Sequence, residues 1–224
     1  MNLEVNVTLH YETTGSIQRW ADENPMDWGE DKNWRAKAIA VFKLHMPLGF
    51  GTWFRYLKTT GGLPTQEQFI ELYIREHIDW WNHLDKETRE CAIARAARQF
   101  FPSAVDSVFV YKLMIENSTG LSAVHLDVLE DAELKRDVSI FVGDERHRIS
   151  MDLKGPLTAY QQECNEHKAI YRRGDPSVII VQMPWRRKTF GNKRWFELGD
   201  FQHIFELRDH YLKAMRKGQL DLEL

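Results

Sequence analysis

The sequence predicts an α+β fold, and three observations predict it. Apolar residues recur at helical spacing through much of the first half, whereas residues 121–183 carry short runs of period-2 or continuously apolar character. The order of elements then reads β-β-β-α-β-α after a mainly helical N-terminal half with one early strand. The expected division is a helical region over 1–102, for recognition or dimerisation, followed by an α/β core over 103–224 that ends in a helix.

Residues 3–11 alternate Leu3, Val5, Val7, Leu9 and Tyr11 with polar partners, as a strand buried on one face would. A polar stretch with Gly15, Pro25 and Gly29 follows. Asp31 can cap a helix over about 32–46 that stops at Pro47. Residues 47–63 are interrupted by Gly49, Gly51, Gly61 and Gly62 and read as broken. Thr65 and Gln68 form a capping-box pattern opening a helix through Leu84, with Phe69, Leu72, Tyr73, Glu76, Trp80 and Leu84 on a mostly apolar stripe. A helix over 86–100 should stop before Pro102, and another should run from Ser103 to about 116. Residues 123–129, 137–142, 147–154 and 177–183 read as strands. Gly155-Pro156 opens a helix ending at Gly174, and Asp200 caps a last one closed by Gly218.

The chain has 224 residues, 28% charged, with a net charge of −3, which suits a soluble globular protein and excludes a uniformly basic nucleic-acid coat. No apolar run approaches the roughly 20 residues a membrane-spanning helix needs. The N-terminus lacks the basic and apolar segments of a secretory signal. Cys91 and Cys164 alone make neither a disulfide framework nor a zinc ribbon, so a cytoplasmic location is expected.

Strands 137–142 and 147–154 read as one antiparallel hairpin. Val138, Ile140 and Val142 share a face, as do Ile149, Met151 and Leu153. The apolar sets coincide only with a loop of two or four residues. A four-residue loop (143–146) sets Asp137 opposite Asp152, and a two-residue loop sets it opposite Ser150. Both place two carboxylates within about 4.5–8 Å, with Lys154 beside them. Carboxylates so close repel unless a cation lies between them, and hard oxygen donors suit Mg²⁺. Residues 121–152 hold eight acids and four bases, in keeping with a cation site.

Asp137, a hairpin, then Asp152-Leu153-Lys154 resembles the signature of the PD-(D/E)XK nuclease superfamily. The resemblance covers roughly residues 103–183, and Arg136 stands where the family pattern has Pro. It implies a restriction-endonuclease-like mixed sheet flanked by helices, and a Mg²⁺- or Mn²⁺-dependent endonuclease acting on DNA, in restriction or defence. Asp137 and Asp152 would be metal ligands, and Lys154 would position the attacking water. The family often adds an acid from the first helix. Asp106 is that candidate if 104–116 is helical, and Glu87 or Glu90 if 107–115 is a strand; Glu130 and Asp131 are further ones. Gln161 and Gln162 fall where some members of the superfamily place a Gln.

Residues 185–195 carry five bases and no acid, interleaved with Trp185, Phe190 and Trp195. Arg186, Arg187, Lys188, Lys193 and Arg194 suit phosphate contacts, and Trp185 suits base stacking. The same segment also reads as solvated charge around core tryptophans. Trp80-Trp81 reads as core or subunit interface, and His77/His83 and His203/His210 as packing residues. No HExxH, Walker or GxSxG pattern occurs. Two non-enzymatic readings stand beside the nuclease: a nucleic-acid-binding or assembly subunit with a nuclease-like sheet, and a protein-binding adaptor using exposed tryptophans. Homodimer and subunit of a larger complex both stay open.

Overall fold

The computed structural model describes residues 13–25, 41, 46–47, 49–126, 137–143, 147–154, 178–182 and 201–217. The early strand at 3–11, the helix at 32–46, the helix opening at Gly155-Pro156 and the basic loop at 185–195 lie outside them. The described residues form an α+β fold in two compact units, with the boundary between Phe109 and Val110.

The first unit is helical. Helix α1 (Thr14–Glu23) lies in the stretch read as merely polar; Thr13 and Ser16 cap it reciprocally, and it buries Ile17 and Ala21. The segment read as broken by glycines contains helix α2 (Gly49–Thr60). Packing overrides glycine's poor propensity there. A Cβ at Gly49 would meet the Phe100 ring, so glycine permits close approach, while Trp53 and Leu57 are fully buried one turn apart. The capping box at Thr65 opens helix α3 (Gln66–Glu76) as expected. The helix ends early: His77 leaves helical geometry (φ −119°, ψ 32°), and α4 (Ile78–Asn82) restarts beyond it.

Pro102 does not end a helix. Helix α5 (Lys86–Arg95) runs through a π-helical turn (Ala96–Phe100) into α6 (Phe101–Glu116). In this wider turn the Phe101 N–H reaches back five residues to the Ala96 carbonyl. The next such bond would need an N–H from Pro102, which has none. Gln66 supplies the missing donor, its Nε2 lying 2.8 Å from the Ala97 carbonyl oxygen. At the other end, Asp85 caps α5 by accepting from the Thr88 N–H at 2.8 Å and its hydroxyl at 2.9 Å. Those two bonds, the backbone one foremost, hold its carboxyl below the usual range.

The core of this unit is a ring cluster. Phe69 lies 5.9 Å from Tyr73 and 5.5 Å from Phe101, while Tyr73 also meets Trp81 edge-on at 5.8 Å. Trp81 is buried, as read, and Trp80 packs edge-on against it at 5.3 Å.

The second unit is built on a four-stranded sheet. Strands β1 (Leu121–Leu126), β2 (Val138–Val142), β3 (His147–Lys154) and β4 (Val178–Gln182) lie in that order. The first three are antiparallel, and β4 runs parallel to β3. A parallel neighbour requires a crossover connection, here through residues 155–177. Val138, Ile140, Val142, Ile149 and Met151 form an apolar face, each no more than 2% exposed. Helix α7 (Gln202–Arg216) packs over that face, with Tyr211 stacked at 5.2 Å on His147, which shares the parity of Ile149 and Met151. Phe201, not Asp200, precedes its first turn, and no side chain caps it there. Gly143 turns the chain after β2 with φ 68°, a left-handed conformation that favours glycine, and the end of the Met215 side chain lies against it.

Candidate functional site

The face opposite the apolar one is polar, and its geometry follows from register. Val138 pairs with Met151, Ser139 with Ser150, Ile140 with Ile149, Phe141 with Arg148 and Val142 with His147. The connection is therefore the four-residue one, and the paired register ends at Val138 and Met151, one residue after Asp137 and one before Asp152. The two-residue alternative is excluded.

Asp137 stands at the entry to β2 and is 8% exposed. Its backbone N–H donates to the Met151 carbonyl at 2.8 Å. Its carboxylate Oδ2 accepts the Leu153 N–H at 2.6 Å. The side chain thus reaches over β3 at the peptide joining Asp152 to Leu153, within one residue of the second predicted carboxylate. Asp152 and Lys154 occupy β3 positions of matching parity; their side chains lie outside the described residues. A carboxylate has about four lone-pair sites, so an accepted N–H leaves Asp137 chemically able to ligate a hard cation. The donor type fits Mg²⁺ or Mn²⁺. Among the described residues no group of three His, Cys, Asp or Glu side chains is placed to hold a metal ion.

The other predicted site residues are placed less tightly. Asp106 lies on α6, partly buried, and belongs to the first unit, whereas Asp137 and Asp152 belong to the second. Residues 107–115 are helical, which removes the condition under which Glu87 or Glu90 would replace it. Glu130, Asp131, Gln161, Gln162 and the basic segment with Trp185, Arg186, Arg187, Lys188, Lys193 and Arg194 lie outside the described residues. His83, His203 and His210 are exposed, which corrects their reading as packing residues.

Between the carboxylate step and the hairpin turn lies a set the sequence reading left unassigned. Ser139 is fully buried and Ser150 1% exposed, and their hydroxyl oxygens are 2.9 Å apart. Arg148 donates from Nε to Ser139 Oγ at 3.0 Å and lies over the Phe141 ring at 5.6 Å. His125, paired with Ser139 from β1, brings its ring within 4.6 Å of Phe141. The available signal is the uninterrupted polar parity Arg148-Ser150-Asp152-Lys154. On its own that pattern reads as a solvated face, because alternation cannot reveal that the serines are buried.

The helical unit has its own polar cluster. Glu76 accepts from the Thr52 hydroxyl and from Arg55 at 3.1 Å (Nε) and 2.5 Å (Nη2). The Arg55 hydrogen bonds, more than any other cause, hold its carboxyl below the usual range. This is a forked ion pair joining α2 to α3, with Arg55 largely exposed, and it presents no nucleophile or metal-ligand set. Among the described residues no helix is long and apolar enough to cross a membrane. No protein-family model, no curated protein and no solved structure matches the chain.

Proposed function

We propose that the chain is a divalent-metal-dependent endonuclease that hydrolyses DNA phosphodiester bonds on a restriction-endonuclease-like sheet. One observation carries this reading: the Asp137 carboxylate accepts the Leu153 N–H, at the peptide that joins Asp152 to Leu153, with Lys154 the next residue of β3. The β-β-β-(155–177)-β order, with the last strand parallel to the third, supports the same reading.

Asp137 and Asp152 would hold Mg²⁺ or Mn²⁺. When bound, such an ion supplies Lewis-acid stabilisation of phosphoryl charge and lowers the pKa of a coordinated water. The protein's own part is orientation. Asp137 is anchored by the Leu153 N–H, so its carboxylate is fixed relative to β3 rather than swinging in solvent. Lys154 orients the attacking water. The water oxygen bonds to phosphorus as the bond to the 3′ oxygen breaks, leaving a 5′-phosphate and a 3′-hydroxyl. The basic segment 185–195 would neutralise flanking phosphates.

The test is cleavage of supercoiled plasmid by purified protein with Mg²⁺ or Mn²⁺. Asp137→Asn is the decisive variant, because the amide oxygen keeps an acceptor for the Leu153 N–H while the charge is lost. It should abolish cleavage without unfolding the protein. Lys154→Ala should slow cleavage on the order of 10²–10⁴-fold, the range of a positioned proton-transfer group. Activity that survives both substitutions would exclude the assignment. The burial of Asp137 and its use by a backbone N–H favour the second reading, a non-catalytic nucleic-acid-binding or assembly subunit. That reading predicts salt-sensitive DNA binding through Arg186, Arg187 and Lys193, with neither cleavage nor a metal-induced rise in Tm.

A further inference from the structure

In the helical unit, His77 is the single residue between α3 and α4, and its backbone departs from helical geometry there (φ −119°, ψ 32°). Its N–H is shared between the Tyr73 and Ile74 carbonyls, both at 3.3 Å, and its carbonyl accepts the Trp81 N–H at 3.1 Å. Helix α4 is five residues long, with no side-chain cap at its start. A single turn is marginal by itself, so tertiary contacts must hold it. Trp81 is its buried residue, at 3% exposed, and Arg89 of α5 donates from Nε to the Trp81 carbonyl at 3.0 Å. Trp81 and His77 meet the same ring: Tyr73 lies 5.8 Å from one and 5.1 Å from the other, edge-on to both. Both contacts carry a defect, because Trp81 Nε1 and His77 Nε2 are buried with no hydrogen-bond partner. Water would satisfy both atoms. Ring packing therefore favours a closed junction, and hydration of the two nitrogens favours an open one.

A proton on His77 tips that balance. The neutral imidazole can carry its proton on Nδ1 and leave Nε2 a bare lone pair, whereas the imidazolium has an N–H at both nitrogens. The buried Nε2–H would then meet no acceptor. Tyr73 offers only its ring, a weaker partner than water, because its hydroxyl donates to the Pro47 carbonyl. Two charged groups act on the imidazole. Glu76, its neighbour in the chain, attracts the cation but already accepts from Thr52 and Arg55, and Arg55 of α2 repels it. Asp79 in the first turn of α4 is exposed, and Arg95 of α5 acts on Tyr73. Burial is the largest influence and holds the closed imidazole below its ordinary pKa. We propose that the α3–α4 junction is a proton-operated latch: when His77 takes up a proton its ring leaves Tyr73, and α4 swings out with Trp81. The open junction binds that proton at the ordinary histidine value. Opening is thus favoured as pH falls below about 6.5 and reversed as pH rises.

The test uses the full chain labelled with fluorotryptophan, with fluorine NMR spectra from about pH 7.5 to about pH 5, either side of the ordinary histidine value. The resonance lost in Trp81→Phe belongs to Trp81. At the upper pH it should show no shift between light and heavy water, as a buried indole does. On acidification it should move and acquire a solvent-isotope shift, with a midpoint below about pH 6.5, while far-UV circular dichroism stays unchanged. Amide exchange of residues 78–82 in the unlabelled wild type, corrected for the intrinsic effect of pH, should rise over the same interval. His77→Phe keeps a ring against Tyr73 and takes no proton, so neither change should occur in it. Should His77→Phe prove unfolded by its Tm, His77→Gln takes its place, since it takes no proton either. A Trp81 resonance and amide exchange that stay constant in wild-type protein overturn the latch, as does the wild-type acid response in the folded variant. Loss of circular dichroism in step with the Trp81 shift also overturns it, because the whole unit would then be unfolding.

Discussion

In the helical unit, Trp81 Nε1 and His77 Nε2 are buried around the Tyr73 ring without a hydrogen-bond partner. In the sheet unit, the buried hydroxyls of Ser139 and Ser150 bond each other and receive Arg148. One core is organised by ring packing and tolerates a lost hydrogen bond at about 1–3 kcal/mol per orphaned atom. The other is organised by directional bonds that exist in one strand register only. Rings can pack in many arrangements at similar energy, so the helical core needs volume more than orientation. The polar face of the sheet needs orientation, and orientation is what a catalytic or binding constellation requires.

The largest effect that tests this contrast is loss of a ring. Phe69 is fully buried between Tyr73 and Phe101. Phe69→Ala should destabilise the protein by about 3–5 kcal/mol in urea denaturation. A loss below about 1 kcal/mol would mean that the ring cluster is not the organising core.

A smaller effect, of a different kind, is expected in the sheet. Ser139→Ala removes the hydroxyl that pairs with Ser150 and accepts from Arg148 Nε, and should cost about 1–3 kcal/mol. Adding Ser150→Ala should cost less than the two single losses together, because the orphaned hydroxyl goes too. Strict additivity in that double-mutant cycle would show that the pair is not coupled.

The smallest expected effect is a pH dependence confined to the helical unit. Burial, before any charge, lowers the His77 pKa; Arg55 pushes it the same way and Glu76 opposes both. The Tyr73 ring packs on the imidazole at 5.1 Å. The folded state thus binds fewer protons at His77 than the unfolded chain. Stability from this residue is complete above about pH 6.5, the ordinary histidine value, and declines as pH falls from there through the depressed folded value. His77→Phe should flatten Tm against pH in that window. An unchanged profile would assign the pH sensitivity elsewhere.

Much of the candidate site was legible. The parity of Asp137, Ser139 and Phe141, the parity of Asp152 and Lys154, and all four strands of the sheet follow from alternation and turn residues. β1 begins slightly earlier than expected, at Leu121. Two of the misreadings share one cause. Gly49 signals a break by propensity, yet the approach of Phe100 makes glycine useful within a helix. Pro102 signals a stop, yet a π turn and the Gln66 amide absorb its missing donor. In both cases a distant side chain decides what the local residues do, and no short window of sequence contains it. His77 carries no breaker signature, and the helix ends there with no such partner to explain it.

Residue order by itself determines that the β2–β3 hairpin has one apolar and one polar face, because alternation is built into an extended chain. It does not determine which residues of the polar face meet. Loops of two and four residues both keep the apolar faces together, so the hydrophobic pattern is blind to the choice. Only the folded sheet, pairing Val138 with Met151, brings the Asp137 carboxylate to the Leu153 N–H and buries Ser139 and Ser150. Cross-strand packing and the bonds among Asp137, Leu153, Ser139 and Arg148 distinguish two registers that hydrophobicity alone leaves equal.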